Sequence, residues 1–455
     1  MWFRQTSPRL ILINPWIYDF AAFDLWSRPL GLLYHAGYLR SCGFTVHLID
    51  CLDTHHPKMT AHGSLKAPKR HPYGTGKYWR QVVPKPAPLK DIPRAYSRYG
   101  LSKKTVVEEL RSIQDPAAIL VTSLMTYWYP GVREVIGLAK RIHPGIPIIL
   151  GGIYARLCLH HARSTAGADH IVTSRHPSSL LKTLKECNIE TPEPISNLPP
   201  LPYPAFDLYS KVDSVCLLTA QGCPYRCKYC ASHVLNPKRI LREPGEVLEE
   251  ILYWHKDYGI RDFAFYDDAL LAPFPTHLGI LLEGIVRLGL PIRFHTPNAL
   301  HVKEISKEVA DLLYRAGFRT IRLGLETSDF SLHQDLDKKL TTGDFERAVG
   351  NLQKAGFSPN EVGAYILLGL PRQSVDSVME TINFVGRIGA VPYLSEYSPI
   401  PHTDLWEEAV RCSTYDIAAE PLFHNNTLLP CWDDTQKQSL SRLKSRVLDI
   451  RQGYR

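Results

Sequence analysis

No stretch of the 455-residue sequence reaches the roughly 18 uninterrupted apolar residues that a membrane-spanning helix needs. The opening residues, Met1 to Pro15, hold too short an apolar core for a secretory signal. The ten cysteines are spread along the chain without the dense framework of a disulfide-stapled domain. With no export signal, they imply a reducing, cytoplasmic setting and no membrane partner. Acid is nearly absent from one segment. Between Lys58 and Lys104, twelve Lys and Arg face one acid, Asp91, a local charge of +11 against +8 for the whole chain. The segment is also rich in proline, which excludes a regular helix. It reads as a solvated, irregular insertion packed on a domain surface, with binding of an anionic partner or nucleic acid as the alternative.

The composition is otherwise globular, 44% hydrophobic and 22% charged, with apolar material for more than one core. The densest chemistry is Gln221–Ala231, Q-G-C-P-Y-R-C-K-Y-C-A, directly after the apolar run Ser214–Ala220. Cys223, Cys227 and Cys230 are held within one loop, so three thiols share a small volume. A structural zinc site wants four ligands, and no second Cys or His pair stands at a suitable spacing. A redox dithiol needs only C-x-x-C and leaves Cys223 unexplained. An iron–sulfur cluster on three thiolates, with one position open, fits best. The singletons Cys42, Cys51, Cys158 and Cys187 read as small buried hydrophobes, and so do Cys412 and Cys431.

Ahead of this loop, strands and helices alternate. Apolar runs at Leu10–Ile13, Phe44–Ile49, Ala118–Thr122, Ile146–Leu150 and His170–Thr173 are expected as strands. Helices are expected at Arg28–Arg40 and Val132–Ile142. That order predicts a doubly wound, Rossmann-like parallel sheet over residues 1–188, with the insertion at 55–105. Residues 189–210 are proline-rich and read as a linker. From 211 to 403 the rhythm resumes with six strands, at Ser214–Ala220, Asp262–Tyr266, Ile292–Thr296, Thr320–Leu325, Gly363–Leu368 and Tyr393–Ser398. They predict a parallel barrel whose chemistry lies at the strand carboxyl ends. Those ends deliver the three cysteines, Asp267-Asp268, Asn298, Glu326, the Leu368-Gly369 turn and Ser398–Thr403. Residues 404–455 form an extension, with a final amphipathic helix at Gln436–Val447, expected to close the barrel mouth.

The C-x3-C-x2-C spacing, with Tyr229 just before the last cysteine, resembles the radical S-adenosylmethionine (radical SAM) superfamily. The six strand ends match that superfamily's partial barrel in order. Pro29–Asp50, Ser123–Val132 and Leu150–Ala155 are similar to the cobalamin-binding domain that precedes the barrel in one branch of it. The sequence departs from that branch in several places. No D-x-H-x-x-G follows the first strand, Ser174–Pro177 replaces an acidic turn, Trp128 and Tyr129 are bulky where a corrin would lie, and His402 stands where many relatives have glycine.

The resemblance implies a 4Fe-4S cluster on Cys223, Cys227 and Cys230, with S-adenosylmethionine chelating the remaining iron. A cluster at about −400 mV or below would reductively cleave it to a 5′-deoxyadenosyl radical. An electron donor of ferredoxin or flavodoxin type would supply the electron. Tyr229, Asp267, Asn298, Glu326, Leu368 and Gly369 would bind the cofactor. Cobalamin in the N-terminal domain would make methyl transfer to an unactivated carbon of a small molecule or peptide the reaction. Two alternatives stand beside this reading. One is a cobalamin-independent rearrangement or cyclisation enzyme. The other is a non-enzymatic Fe-S or zinc module engaging RNA through the basic insertion.

Overall fold

The computed structural model describes residues 7–61, 67–191 and 203–454. The chain divides into two compact units, Met1–Val212 and Asp213–Arg455. Half of the stretch expected as a linker, residues 192–202, lies outside the described residues. Its end is not free chain. Ala205 N–H donates to Leu33 O, Arg40 pairs with Asp207 at 2.6 Å, and Tyr209 donates to Asp50 at 2.6 Å, all within the first unit.

The first unit is built on five parallel strands: β1 (Arg9–Asn14), β2 (Thr45–Asp50), β3 (Pro116–Val121), β4 (Ile148–Leu150) and β5 (His170–Ile171). Their order is β5-β4-β3-β1-β2. Leu10 to Ile13 of β1 are fully buried, because a strand inside a doubly wound sheet is covered on both faces. Helices α1 (Leu30–Ser41), α2 (Lys103–Ser112), α3 (Tyr129–Ile142) and α4 (Pro177–Glu186) complete the layers. The neighbours of β1 are β3 and β2, so the strand order reverses at β1 and leaves a crevice at the carboxyl ends between β1 and β3.

The basic segment packs on the first unit and leaves many of its side chains exposed, but it is more regular than its prolines suggest. Its described part carries short strands at Gly76–Lys77, Arg80–Val82 and Ser97–Tyr99, the last two in an antiparallel sheet with Ile17–Asp19. Prolines such as Pro72 and Pro86 stand in turns outside these strands, where the missing N–H breaks no ladder. Tyr78, Trp79, Leu89, Tyr96 and Tyr99 are buried. Acids from outside the segment meet its charge: Lys58–Glu109 at 2.6 Å, Arg70–Asp24 at 2.8 Å, and Lys103–Glu134.

The second unit is a six-stranded, wholly parallel sheet in sequential order. Its strands are β6 (Val215–Leu217), β7 (Asp262–Phe265), β8 (Arg293–His295), β9 (Phe318–Glu326), β10 (Val362–Leu368) and β11 (Val391–Glu396). Phe265, Phe294 and Phe318 pack ring to ring at 5.1–5.8 Å, each burial contributing about 1.5–3 kcal/mol. β6 is shorter than the apolar run predicts, because Thr219 N–H turns to the Asp267 carboxylate and the chain bends there.

The C-terminal helix α5 (Leu440–Gly453) does not cover the strand carboxyl ends. Ile450 packs on Gly386, and Arg451 reaches Pro392 O at the start of β11, so α5 is a side layer. The stretch before it takes the position expected of the extension. Ser398 donates to His424 O at 2.6 Å, and Leu429 lies against the turn that follows β10.

Candidate active site

The cysteine loop follows a two-residue strand, Ala220–Gln221, paired with Ile240–Leu241. Two segments from other strand ends stitch it in place. Lys228 N–H donates to Leu336 O (2.9 Å), Leu405 N–H donates to Lys228 O (3.0 Å), and Lys228 pairs with Asp335. Cys227 is buried, while Cys223 and Cys230 are half-buried. Burial raises all three thiols above the ordinary range, opposed at Cys223 by the Tyr225 amide, at Cys227 by Lys339 and at Cys230 by the Ser232 amide. Among the described residues, no three His, Cys, Asp or Glu side chains converge on one metal ion. All ten cysteines are free.

Glu326 ends β9 at a register shift, with φ +65° and 7% exposure. Left-handed backbone at a buried glutamate is strain of the kind that gathers at functional sites. Gly324 leaves the carboxylate room, since a Cβ there would stand 3.1 Å from Glu326 Oε1. Burial raises the Glu326 carboxyl, opposed by Lys339. Lys339 is 3.9 Å from Glu326 Oε1 and donates to the Tyr229 hydroxyl at 3.1 Å. Burial works against the Lys339 charge, but Glu326, Cys227 and Asp337 raise its pKa overall. Asp337 accepts from Tyr229 (3.4 Å) and pairs with fully buried His333 (2.8 Å), whose other nitrogen meets Thr327 O. Tyr229 is thus tied to Glu326 through a buried ammonium.

Asp267 has a different environment from the cofactor-facing position expected. Its carboxylate accepts from Thr219 N–H, Thr219 Oγ1 (2.7 Å) and Ala220 N–H (2.7 Å), so it clamps the chain entering the cysteine loop. Burial pushes its pKa up to about 6 against those hydrogen bonds. Its neighbour Asp268 accepts from Ser232 at 2.5 Å. Asn298 is exposed and donates to Tyr266 O (2.9 Å) and Asp267 O (3.3 Å). Leu368 is fully buried. Gly369, at φ +88°, admits Leu429, whose Cδ2 would lie 2.9 Å from an added Cβ. His402 has φ +70°, which explains why glycine suits that position.

Reading strand ends alone misses three residues. Lys339 follows the short helix Phe330–Leu336 rather than a strand. Tyr225, inside the cysteine loop, stacks on His301 (4.2 Å between centroids, 15° between planes) and donates to Glu304 at 2.9 Å. His301 is 7% exposed, its Nδ1 has no partner, and burial beside Lys339 lowers its pKa to about 3. An aromatic residue between two cysteines of the loop was the available signal for this pair.

In the first unit, Asn14 and Asp50 close the carboxyl ends of β1 and β2 with a 2.7 Å hydrogen bond. Burial opposes the charge on Arg28, but Tyr209, Asp24, Asp50 and Asp53 hold it protonated. The loop after β1 carries no histidine from Pro15 to Tyr34. Trp128 is drawn into the antiparallel sheet, donating to Asp19 (2.8 Å), and Tyr129 packs on Tyr154 and His161. Phe23, in a two-residue strand paired with Gly76–Lys77, and Leu25 and Met125, in the connections after β1 and β3, are 56%, 54% and 47% exposed. Exposed apolar side chains of this kind offer contact surface for a large ring.

Comparison with known proteins agrees with both halves. The family model described as the Radical SAM superfamily matches residues 217–385, and that described as the B12 binding domain matches residues 95–178. An uncharacterized methyltransferase of Pyrococcus horikoshii is 29% identical over 328 residues, 65% of this chain and 70% of its own. Cytidylyl-2-hydroxyethylphosphonate methyltransferase of Streptomyces wedmorensis is 21% identical, covering 89% of this chain and 82% of its own. Among solved structures, the radical S-adenosylmethionine methyltransferase TsrM from Kitasatospora setae, with cobalamin and a [4Fe-4S] cluster bound, superposes with TM-score 0.63. It is 17% identical and covers 90% of this chain and 76% of its own, a likeness of fold. The chain is a radical SAM superfamily enzyme with an N-terminal cobalamin-binding-type domain. The two domains and the methyltransferase relatives support a cobalamin-dependent radical SAM methyltransferase, with a 4Fe-4S cluster, S-adenosylmethionine and cobalamin as cofactors.

Proposed function

We propose that this enzyme methylates an unactivated carbon of a small organic acceptor in the cytoplasm, drawing electrons from a ferredoxin- or flavodoxin-type donor. The observation that carries the site assignment is the buried Lys339 between Glu326, Tyr229 and Cys227 at the carboxyl ends of the barrel strands. When bound, the cluster supplies the electron that breaks a carbon–sulfur bond of S-adenosylmethionine, and cobalamin carries the methyl group. Cys223, Cys227 and Cys230 hold the cluster. Lys339 offers an ammonium to a carboxylate, and Glu326 and Asn298 offer acceptors to amino and hydroxyl groups of the cofactor. The Leu368-Gly369 turn supports its adenine, and Asp267 keeps the cysteine loop in register. In the first unit, Phe23, Leu25 and Met125 would lie against the corrin. Relatives are named for a cytidylyl phosphonate and for tryptophan as substrate, both small organic molecules, which supports an acceptor of that size.

The RNA-module reading is disfavoured by the ion pairs that engage Lys58, Arg70 and Lys103. Anaerobic reconstitution followed by S-adenosylmethionine and a strong reductant tests the assignment. It should yield about four irons per chain, a corrin spectrum and 5′-deoxyadenosine, and Cys227→Ala should lose the cluster and the cleavage. Zinc in place of iron with no 5′-deoxyadenosine would sink the enzyme reading. Cleavage without corrin uptake would replace methyl transfer by a cobalamin-independent rearrangement.

A further inference from the structure

The first unit contains a cavity of about 530 Å³ that the barrel chemistry does not use. It lies between the folded basic segment, the strand Ile17–Asp19 and helix α3, within the size range of small-molecule sites. Tyr18, Tyr96 and Tyr129 contribute aromatic surface, and Lys85, Lys103, Arg133 and Arg141 stand around it against one carboxylate, Glu134. Lys103 and the Tyr18 hydroxyl already engage Glu134, and Lys85 is spent on Lys90 O and Ile92 O. Arg133 and Arg141 are exposed and make no ion pair among the described residues. Burial lowers the Lys103 pKa, with Arg98 and Arg141 adding to the effect, and Arg141 also acts on Glu134, the one carboxylate among these cations.

A second, independent observation comes from α3 itself. It contains two glycines, and glycine inside a helix is unfavourable relative to alanine. At Gly131 packing accounts for it, since a Cβ would strike Trp16 O at 2.0 Å. At Gly137 an added Cβ would meet, among the described residues, only Arg141 Nη1, at an ordinary contact of 3.6 Å, and Gly137 lines the cavity. The missing side chain leaves the helix backbone open to the cavity beside the Arg141 guanidinium.

We propose that this cavity is a binding site for an organic phosphate. Its phosphoryl oxygens meet the guanidinium groups of Arg133 and Arg141, and its ring lies over Gly137 among the tyrosines. Guanidinium forks match phosphate oxygens in pairs, and tyrosine faces suit a planar body. The phosphate could arrive on a free phosphate ester or on the phosphodiester of a corrinoid's nucleotide tail.

Calorimetric titration of the reconstituted full-length chain with phenyl phosphate, inorganic phosphate and phenol tests this. Phenyl phosphate should bind at least about tenfold more tightly than either half. The double variant Arg133→Ala/Arg141→Ala should weaken it by about tenfold or more. Gly137→Leu, which fills the space with a good helix former, should abolish binding while keeping or raising the melting temperature. Repeating the titration after loading hydroxocobalamin or tail-less cobinamide distinguishes the sources. Loss with cobalamin alone assigns the site to the corrinoid tail, and retention with both assigns it to a free ester. Failure of the unloaded wild type to bind phenyl phosphate, equal binding of inorganic and phenyl phosphate, or unchanged binding by a folded Gly137→Leu protein would overturn the proposal.

Discussion

The ammonium of Lys339 lies 3.9 Å from Glu326 Oε1, and both side chains are almost wholly withdrawn from water. Removing one partner of a buried pair leaves the other charge uncompensated, at about 3–5 kcal/mol. Lys339→Met should therefore lower stability by an amount of that order, measured by urea unfolding. Adding Glu326→Gln should recover part of the loss, because the two substitutions remove one shared interaction. A strictly additive double variant would show that the pair is not coupled.

Asp267 gives a pH signature. Its carboxyl is raised from 3.8 to about 6 in the folded chain, chiefly by burial, so the native state binds the proton more tightly than the unfolded state. Its contribution is fully present below about pH 3.8 and is lost as pH rises through about 6, at most ~3 kcal/mol. Melting temperatures across that window should fall more steeply for the wild type than for Asp267→Asn, which cannot ionise. Parallel curves would contradict the assignment.

Gly369 and Leu429 should behave as a unit. Gly369→Ala puts a Cβ at left-handed φ and 2.9 Å from Leu429 Cδ2, and a destabilisation of about 1–3 kcal/mol is expected. Leu429→Ala relieves the contact but not the backbone strain. The double variant should thus be more stable than the sum of the singles predicts, by about 1 kcal/mol.

His301→Phe keeps the stack on Tyr225 and deletes the unpartnered Nδ1. Burying an unsatisfied polar atom costs about 1–3 kcal/mol, so the variant should be as stable as the wild type or more so. If that nitrogen meets a bound molecule, 5′-deoxyadenosine formation or S-adenosylmethionine affinity should drop by about tenfold. Unchanged kinetics would leave His301 a packing residue.

Both sheets were legible in the sequence because parallel strands, buried on two faces, spell continuous apolar runs such as Leu10–Ile13 and Gly363–Leu368. The cysteine loop was legible through spacing alone. Lys339 was not. It stands beside exposed Lys338, and a Lys-Lys pair after a short polar helix looks like a solvated surface. Asp267 was found at the right strand end, but its partners, Thr219 and Ala220, lie 48 and 47 residues away. The strands of the basic segment were not legible, because proline density hides strands only two or three residues long. Their stability comes from buried Tyr78, Tyr96 and Tyr99 rather than from local propensity.

The way that segment is folded limits how the chain can be shortened. Asp24, Glu109 and Glu134 lie outside residues 58–104 in sequence, yet each has a counter-charge within them. The aromatic rings that cover Ile17 and Leu52 also belong to it. Excising residues 58–104 would strip a wall from the first unit and leave three acids without their cations. A trimmed protein made for easier handling would be expected to lose its N-terminal half rather than a loop.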